Sequence, residues 1–487
     1  MIKNSLILAF IALLLFSCKP SQHEAISKIE SSLMPSIQIE GKEEKHHILE
    51  RMEHYKVPGV SIAVVKDGKL AWAKGYGMAN TESGKEVDEN TLFQAGSISK
   101  PLAALAALKL VDEQSAELDA DVNQYLVDWK IDENGFTAKE KVTLRRLLNH
   151  TAGMTVHGFP GYKQTEDYPS IDQVLNGEGN TKKVFVDQVP GTAWRYSGGG
   201  YTVMEKVVED ISGLPLEDYM EKNILKPLKM KNSTYLQPLP PSYHKSNISA
   251  AYNRNGDIVE GLYHNYPEQA AAGLWTTPTD LAKYCLAVQE IVSGKSNGVL
   301  SNEIITEMIT KGENGWGLGP GMEGEGEMLL FKHGGKNEGF TNDMIAFVHK
   351  GDAVIVMTNA DNGGALIKEI LHAVSDHYEW DIRKPQSLKP LALDSSELQQ
   401  FSGKFKYDGQ IPELGAYIVE VKSDGDQLVI MDPNPPKALD LKLIPLEKLK
   451  FVDLGKGDEI IFAKNGEGII TSFQGPGYRF NRLASDQ

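Results

Sequence analysis

The sequence predicts an α+β fold: one antiparallel sheet flanked by helices, followed by a small all-β domain. Three observations carry this reading. Near the start, "VSIAVVKDGKLAWAKGYG" places two runs of β-forming residues on either side of Asp67-Gly68, a strong hairpin signal. Far along the chain, "NDMIAFVHKGDAVIVMTNA" repeats that pattern around Lys350-Gly351-Asp352. From Leu398 to the end, short β-type runs alternate with Gly, Asp and Pro turns, as in "YIVEVKSDGDQLVIM". Helical periodicity fills the space between the two hairpins. Both hairpins are therefore assigned to one sheet, with the amphipathic "GALIKEILHAVSDHY" packed on it.

A chain of 487 residues is too long for one ordinary core and calls for two or three domains. Hydrophobic residues make up 41% and charged residues 24%, the balance of a globular protein. The net charge of -16 excludes the basic patch that a nucleic-acid binder needs.

The first residues, "MIKNSLILAFIALLLFSC", have Lys3, then an apolar run too short to span a bilayer comfortably. Residues 1–17 are read as an export signal and set aside from the fold. "LFSC" resembles a bacterial lipobox, which implies lipidation of Cys18 and anchoring to a membrane of the bacterial cell envelope. The other cysteine, Cys285, lies in the helical pattern "DLAKYCLAV" and is expected to be a buried small residue without a disulfide partner.

The remaining elements follow in order. Residues 18–45 are polar and read as a tether and the start of a first helix, before a catalytic domain over 46–382. A helix is expected from Ile98 to about Glu113. "VTLRRLLNHTAGM" is a helix ending at a turn, and residues 155–190 are loop-rich. "YTVMEKVVEDISG" has helical periodicity and a stop at Gly213, and "TPTDLAKYCLAVQEIVSG" has caps at Thr279 and Asp280. Residues 383–396, with Pro385 and Pro390, read as a linker, and 397–487 as a small β-barrel-like domain.

Chemistry concentrates in "FQAGSISKPLAALAALKL". Its helix is apolar all round and so is buried. Ser97 and Lys100 fall one turn apart at its N-terminus and share a face. Burial lowers a lysine's pKa, and an amine so tuned takes a proton from a serine hydroxyl. Pro101 disfavours α geometry at Lys100 and removes a donor, so the helix is expected to begin at Ser97 or later, through a tight first turn. Read alone, this S-x-x-K is equally an N-cap serine beside a surface lysine.

Two later segments change that. "PGTAWRYSGGGYTV" holds Tyr196 between a Pro-Gly turn and three glycines. "FKHGGKNEGF" places His333, Gly334 and Gly335 on a strand whose backbone a ligand can approach. The order S-x-x-K, "LLNHTAG", "PG…YS", "AAAGLWTTPTDLAKY", "HGG…NEGF" resembles the serine β-lactamase-related family, over about Ile48 to Tyr378. That family includes class C β-lactamases, D-alanyl-D-alanine carboxypeptidases, D-aminopeptidases and esterases.

The resemblance implies a β-lactamase/transpeptidase-like antiparallel sheet with a helical subdomain carrying the tyrosine motif. It implies that Ser97 is the acylated nucleophile, Lys100 its proton partner and Tyr196 a general base, with His333 in place of the lysine of a K-T-G motif. The oxyanion and substrate-binding set it implies is Ser97, Gly198, Gly334, Gly335 and Lys336, with the N–H groups of Ser97 and Lys336 as oxyanion donors. The appended β module resembles the small barrels often attached to the family.

Two departures bear on activity. The family's Y-x-N reads Tyr196-Ser197-Gly198, and Gly198 has no amide to orient the lysine or a substrate. Neutral imidazole at His333 binds a carboxylate less well than ammonium, although Lys336 offers a charge nearby. Both disfavour an efficient β-lactamase and suit an esterase or peptidase acting on a small-molecule or peptide ester or amide. The alternative is a penicillin-recognising sensor that is acylated without turnover. A third reading is a scaffold in which the C-terminal module acts.

No cofactor or metal is expected. Gly319-Pro320-Gly321-Met322-Glu323-Gly324 fits G-x-G-x-x-G, but no helix follows and it reads as a loop between strands. His46-His47 lacks partners at metal spacing, and Ser97 does not sit in a G-x-S-x-G elbow. The sequence carries no reading of oligomeric state.

Overall fold

The two hairpins do share one sheet. In the computed structural model, strand β1 (Gly59–Lys66) turns into β2 (Lys69–Asn80) through Asp67 and Gly68. Both turn residues have positive φ, 52° and 72°, the geometry that matches strand twist in a two-residue hairpin. A short β3 (Lys85–Glu86) extends the edge. The other strands are β4 (Gly321–Glu323), β5 (Leu330–Asn337), β6 (Phe340–Phe347) and β7 (Ala353–Thr358). Their order is β3-β2-β1-β7-β6-β5-β4, so the first hairpin joins the last strand in register Val60 with Thr358. The structure describes residues 22–487 except 241, 244–246, 297, 410–416, 433–439, 456 and 484–487. Residues 1–17 and Cys18, read above as a signal and a lipidation site, lie outside the described residues.

The sheet separates two cores. Along β1 the side chains alternate: Ala63 and Val65 enter the larger core, Ile62 and Val64 the smaller. The smaller core holds helices α1 (Gln22–Glu30) and α2 (Ile48–Tyr55), represented by Ile29 and Met52, and the C-terminal helix of the domain. The larger core holds α3 (Ser99–Asp112), α4 (Leu144–Leu148), α5 (Gly198–Ser212), α6 (Gln269–Ala272) and α7 (Pro278–Val292). Helix α8 (Gly363–His377) closes the domain on the other face through Leu366, Ile370 and Val374. Cys285 is buried in α7 as a free thiol, as expected.

Three sequence expectations are corrected. The described part of the polar tether is packed: Ala25, Ile29 and Leu33 are buried against the domain because the segment carries its apolar residues on one face. The proline segment is not a free linker either. Gln386–Leu388 pairs in parallel with Ile37–Ile39, so the two ends of the domain hold each other. The glycine run at 319–324 does not remain a loop: Gly321–Glu323 pairs with Leu330–Lys332 as the sheet edge.

The C-terminal segment is a closed barrel of eight antiparallel strands, from Gly403–Tyr407 round to Tyr478–Arg482. Phe405, Phe451, Phe462, Phe473 and Phe480 fill its interior, and closure leaves no free sheet edge.

Candidate active site

Ser97 sits on a turn clamped between the sheet and α6. Phe93–Gln94 pairs with Trp275–Thr276. Residues Gly96–Ile98 then form a 3-10 turn, and the α-helix starts only at Ser99. This is the tight start expected from Pro101, the third helical residue, whose missing N–H has no intrahelical acceptor there. Ser99 Oγ donates to Gly96 O at 2.6 Å and accepts the Leu274 N–H at 3.0 Å. Asn342 and Asn337, on β6 and β5, donate to Gln94 O at 2.8 Å and Gln94 Oε1 at 2.9 Å.

Two glycines let the strand and the turn touch. A Cβ on Gly96, where φ is 55°, would lie 2.5 Å from Lys336 N. A Cβ on Gly335 would lie 1.9 Å from Ala95 O. The backbone of Lys336 is thereby brought beside the turn that carries Ser97, while Gly334 stays exposed on the strand.

Lys100 Nζ stands 3.0 Å from Ser97 Oγ and donates to Ala271 O at 2.8 Å. The lysine is 2% exposed, and burial pulls its pKa down to about 7. The Tyr196 phenol is close enough to Ser97 to feel its hydroxyl, and Lys100 Nζ lies 5.0 Å over the Tyr196 ring. Burial pushes the phenol pKa up, opposed by the neighbouring Ser97 hydroxyl. At neutral pH the phenol therefore keeps its proton while a large fraction of Lys100 is the free amine. Lys100 is the better proton acceptor for Ser97, while Tyr196 stays in its protonated form.

His333 joins the group on β5, its ring 6.1 Å from that of Tyr196. It is buried, and burial with the nearby Lys100 charge lowers its pKa to about 3, so it is neutral. Its Nδ1 is 2.6 Å from Gly334 O, and its Nε2 is buried with no protein partner. Ser97 and Lys100 (on one turn), Tyr196 and His333 thus converge from three separate segments.

Two finer expectations change. Gly198 is not an available donor: its N–H goes to His157 O at 3.0 Å. A Cβ on Gly198 would stand 2.9 Å from the Phe159 ring and 3.1 Å from His157 O, so an asparagine has no room there. The Lys336 side chain does not offer a free charge, because it pairs with Asp361 at 3.1 Å.

Sequence reasoning missed the aromatic surroundings of Tyr196. His150, His157, Trp194 and Trp316 have ring centroids 4.3, 5.0, 6.5 and 5.9 Å from it. It also missed Glu268, which is fully buried with both carboxylate oxygens unpartnered and a pKa raised by burial to about 8. The only signal for the aromatic wall was a cluster of Trp and His near the motifs, at distances no local pattern relates.

Comparison with known proteins agrees with the geometry. The family description Beta-lactamase matches residues 45–376. The chain belongs to the beta-lactamase family. A teichoic acid D-alanine hydrolase of Staphylococcus aureus is 28% identical over 255 residues, covering 52% of this chain and 59% of that protein. The chain thus spans less than two thirds of the curated relatives it matches. Among solved members of the fold, an octameric penicillin-binding protein homologue from Pyrococcus abyssi is 26% identical with a TM-score of 0.62, covering 89% of this chain and 98% of that one. FmtA from Staphylococcus aureus is 22% identical with a TM-score of 0.54, covering 71% and 91%, and shares the fold.

Proposed function

We propose that this chain is a serine hydrolase of the bacterial envelope that cleaves an ester of a D-amino acid through an acyl-enzyme on Ser97. The observation that carries the reading is the buried Lys100 amine, 3.0 Å from Ser97 Oγ with its pKa near 7. Ser97 Oγ attacks the ester carbonyl carbon as its proton passes to Lys100 Nζ. The N–H groups of Ser97 and Lys336 receive the oxyanion. Collapse breaks the ester C–O bond, and the leaving alkoxide takes a proton by way of Tyr196, which Lys100 replenishes. Water then attacks the acyl carbon as its proton passes to Lys100, the acyl C–Oγ bond breaks to release the D-amino acid, and Lys100 gives that proton to Ser97 Oγ.

The substrate class follows from charge. A β-lactam brings a carboxylate that needs a cation, but His333 is neutral and Lys336 is paired with Asp361. A D-alanyl ester brings an ammonium and no such carboxylate. The relative named for teichoic acid D-alanine hydrolysis supports this choice. Lipidation of Cys18 belongs to the same proposal, and the mass of detergent-extracted protein against Cys18→Ala tests it.

The function itself is tested with the full chain in detergent. D-alanyl and acetyl p-nitrophenyl esters, a chromogenic cephalosporin and a fluorescent penicillin are compared for wild type and Ser97→Ala. Ester turnover that vanishes in Ser97→Ala is expected. A stable penicillin adduct with no ester turnover would replace the hydrolase by a sensor.

A further inference from the structure

His150 lies in "LLNHTAG", a segment to which the mechanism above gives no task. It contacts Tyr196 and both of that residue's chain neighbours. Its carbonyl accepts the Arg195 N–H at 2.8 Å. Its ring Nδ1 accepts the Ser197 N–H at 3.2 Å. Its ring centroid lies 4.3 Å from that of Tyr196, the two planes 34° apart. One residue therefore grips both peptide neighbours of the tyrosine and also supports the phenol ring.

Its conformation is unusual. His150 has φ 61°, a left-handed conformation uncommon for a residue other than glycine. Such strain persists where surrounding contacts over-determine it, and it gathers at functional sites. The residue is 2% exposed. Because Nδ1 accepts, the ring proton is assigned to Nε2, which is buried with no protein partner. A histidine serving only the core would have both nitrogens satisfied. Burial, with the Lys100 charge adding to it, holds the imidazole well below its usual pKa, so the accepting form persists.

We propose that His150 is a positioning residue for Tyr196: its Nδ1 and carbonyl fix the backbone on both sides of the tyrosine, so that the phenol stays beside Ser97 and Lys100. The inference rests on the reading that Tyr196 acts on Ser97. Loss of the ring acceptor frees the Ser197 N–H and lets the phenol swing. A misplacement on the order of 1 Å costs about a hundredfold in rate. Asparagine keeps an acceptor close to the Nδ1 position and tolerates positive φ. Phenylalanine keeps the ring and loses the acceptor.

The test uses the full chain in detergent and p-nitrophenyl acetate. Wild type, His150→Asn, His150→Phe, Tyr196→Phe and the double variant His150→Phe/Tyr196→Phe are compared for kcat and KM. His150→Phe is expected to lose tenfold or more in kcat, with KM within about twofold, and His150→Asn to retain several times the kcat of His150→Phe. In the Tyr196→Phe background the His150→Phe loss should vanish, because the residue acts through a hydroxyl already removed. An equal loss in both backgrounds overturns the inference and leaves the role of Tyr196 intact. If Tyr196→Phe has no measurable turnover, the ranking decides: His150→Phe as active as His150→Asn overturns it. Full turnover by Tyr196→Phe instead removes the reading beneath it.

Discussion

Lys100 Nζ and Ser97 Oγ stand 3.0 Å apart, with the lysine only 2% exposed. One turn of chain sets their spacing, and burial by the domain core sets the amine's proton affinity. The proposed base and nucleophile therefore both come from the same short segment, tuned by what surrounds it.

The first prediction concerns pH. In the proposed mechanism Lys100 acts as the free amine, and its pKa is lowered from 10.5 to about 7. Ester kcat/KM should rise with pH through about 7 and fall away below it, since the protonated amine cannot accept from Ser97. A kcat/KM profile of the wild type reads this pKa in the free enzyme. A flat profile from pH 5 to 9 contradicts it.

Removing either proton carrier should be costly. Lys100→Ala and Tyr196→Phe are each expected to lose about a hundredfold or more in kcat, the usual scale of acid–base contributions. Steady-state rates with D-alanyl and acetyl esters check this, with circular dichroism confirming the fold.

Gly198→Asn should not rebuild the missing family amide. The new Cβ meets Phe159 at 2.9 Å and His157 O at 3.1 Å. The variant is expected to lose about 1–3 kcal/mol of stability from overpacking. Denaturant unfolding measures that loss. Undiminished stability together with gained cephalosporin hydrolysis would show that Phe159 yields.

Gly335→Ala probes the strand against the nucleophile turn. Its Cβ would stand 1.9 Å from Ala95 O, a backbone atom fixed by the Leu92–Ser99 region. Strand or turn must shift, so turnover should fall at least tenfold even in the protein that remains folded, as the Lys336 amide moves from Ser97. Rates normalised to the folded fraction separate the two effects.

Glu268 gives a stability prediction. Burial raises its pKa from 4.5 to about 8, so between those values the folded state holds a proton that the unfolded state has lost. The contribution is present below the unfolded value of 4.5 and is lost as pH rises through about 8. Glu268→Gln removes the titration, and its stability relative to wild type should increase from pH 5 to pH 8 by at least about 1 kcal/mol, since one pKa unit is worth about 1.4 kcal/mol. Thermal melts at the two pH values decide it.

By itself, the sequence determined what short-range physics controls. Asp67-Gly68 dictates a hairpin, Pro101 dictates a late helix start, and the S-x-x-K spacing places Ser97 and Lys100 on one face; all three hold in the structure. The alternating β runs after Leu398 likewise announced a barrel. Tertiary structure alone decided the rest. It set Tyr196 beside Lys100 and Ser97 and His333 beside Tyr196, closed the place of an asparagine with Phe159, paired Lys336 with Asp361, and laid His150 on Tyr196. The reason is range: dihedral preference and hydrogen bonding act over about four residues. Contacts between segments tens to hundreds of residues apart exist only once the sheet and helices have packed, and the low dielectric that moves the lysine's pKa arises from that packing alone.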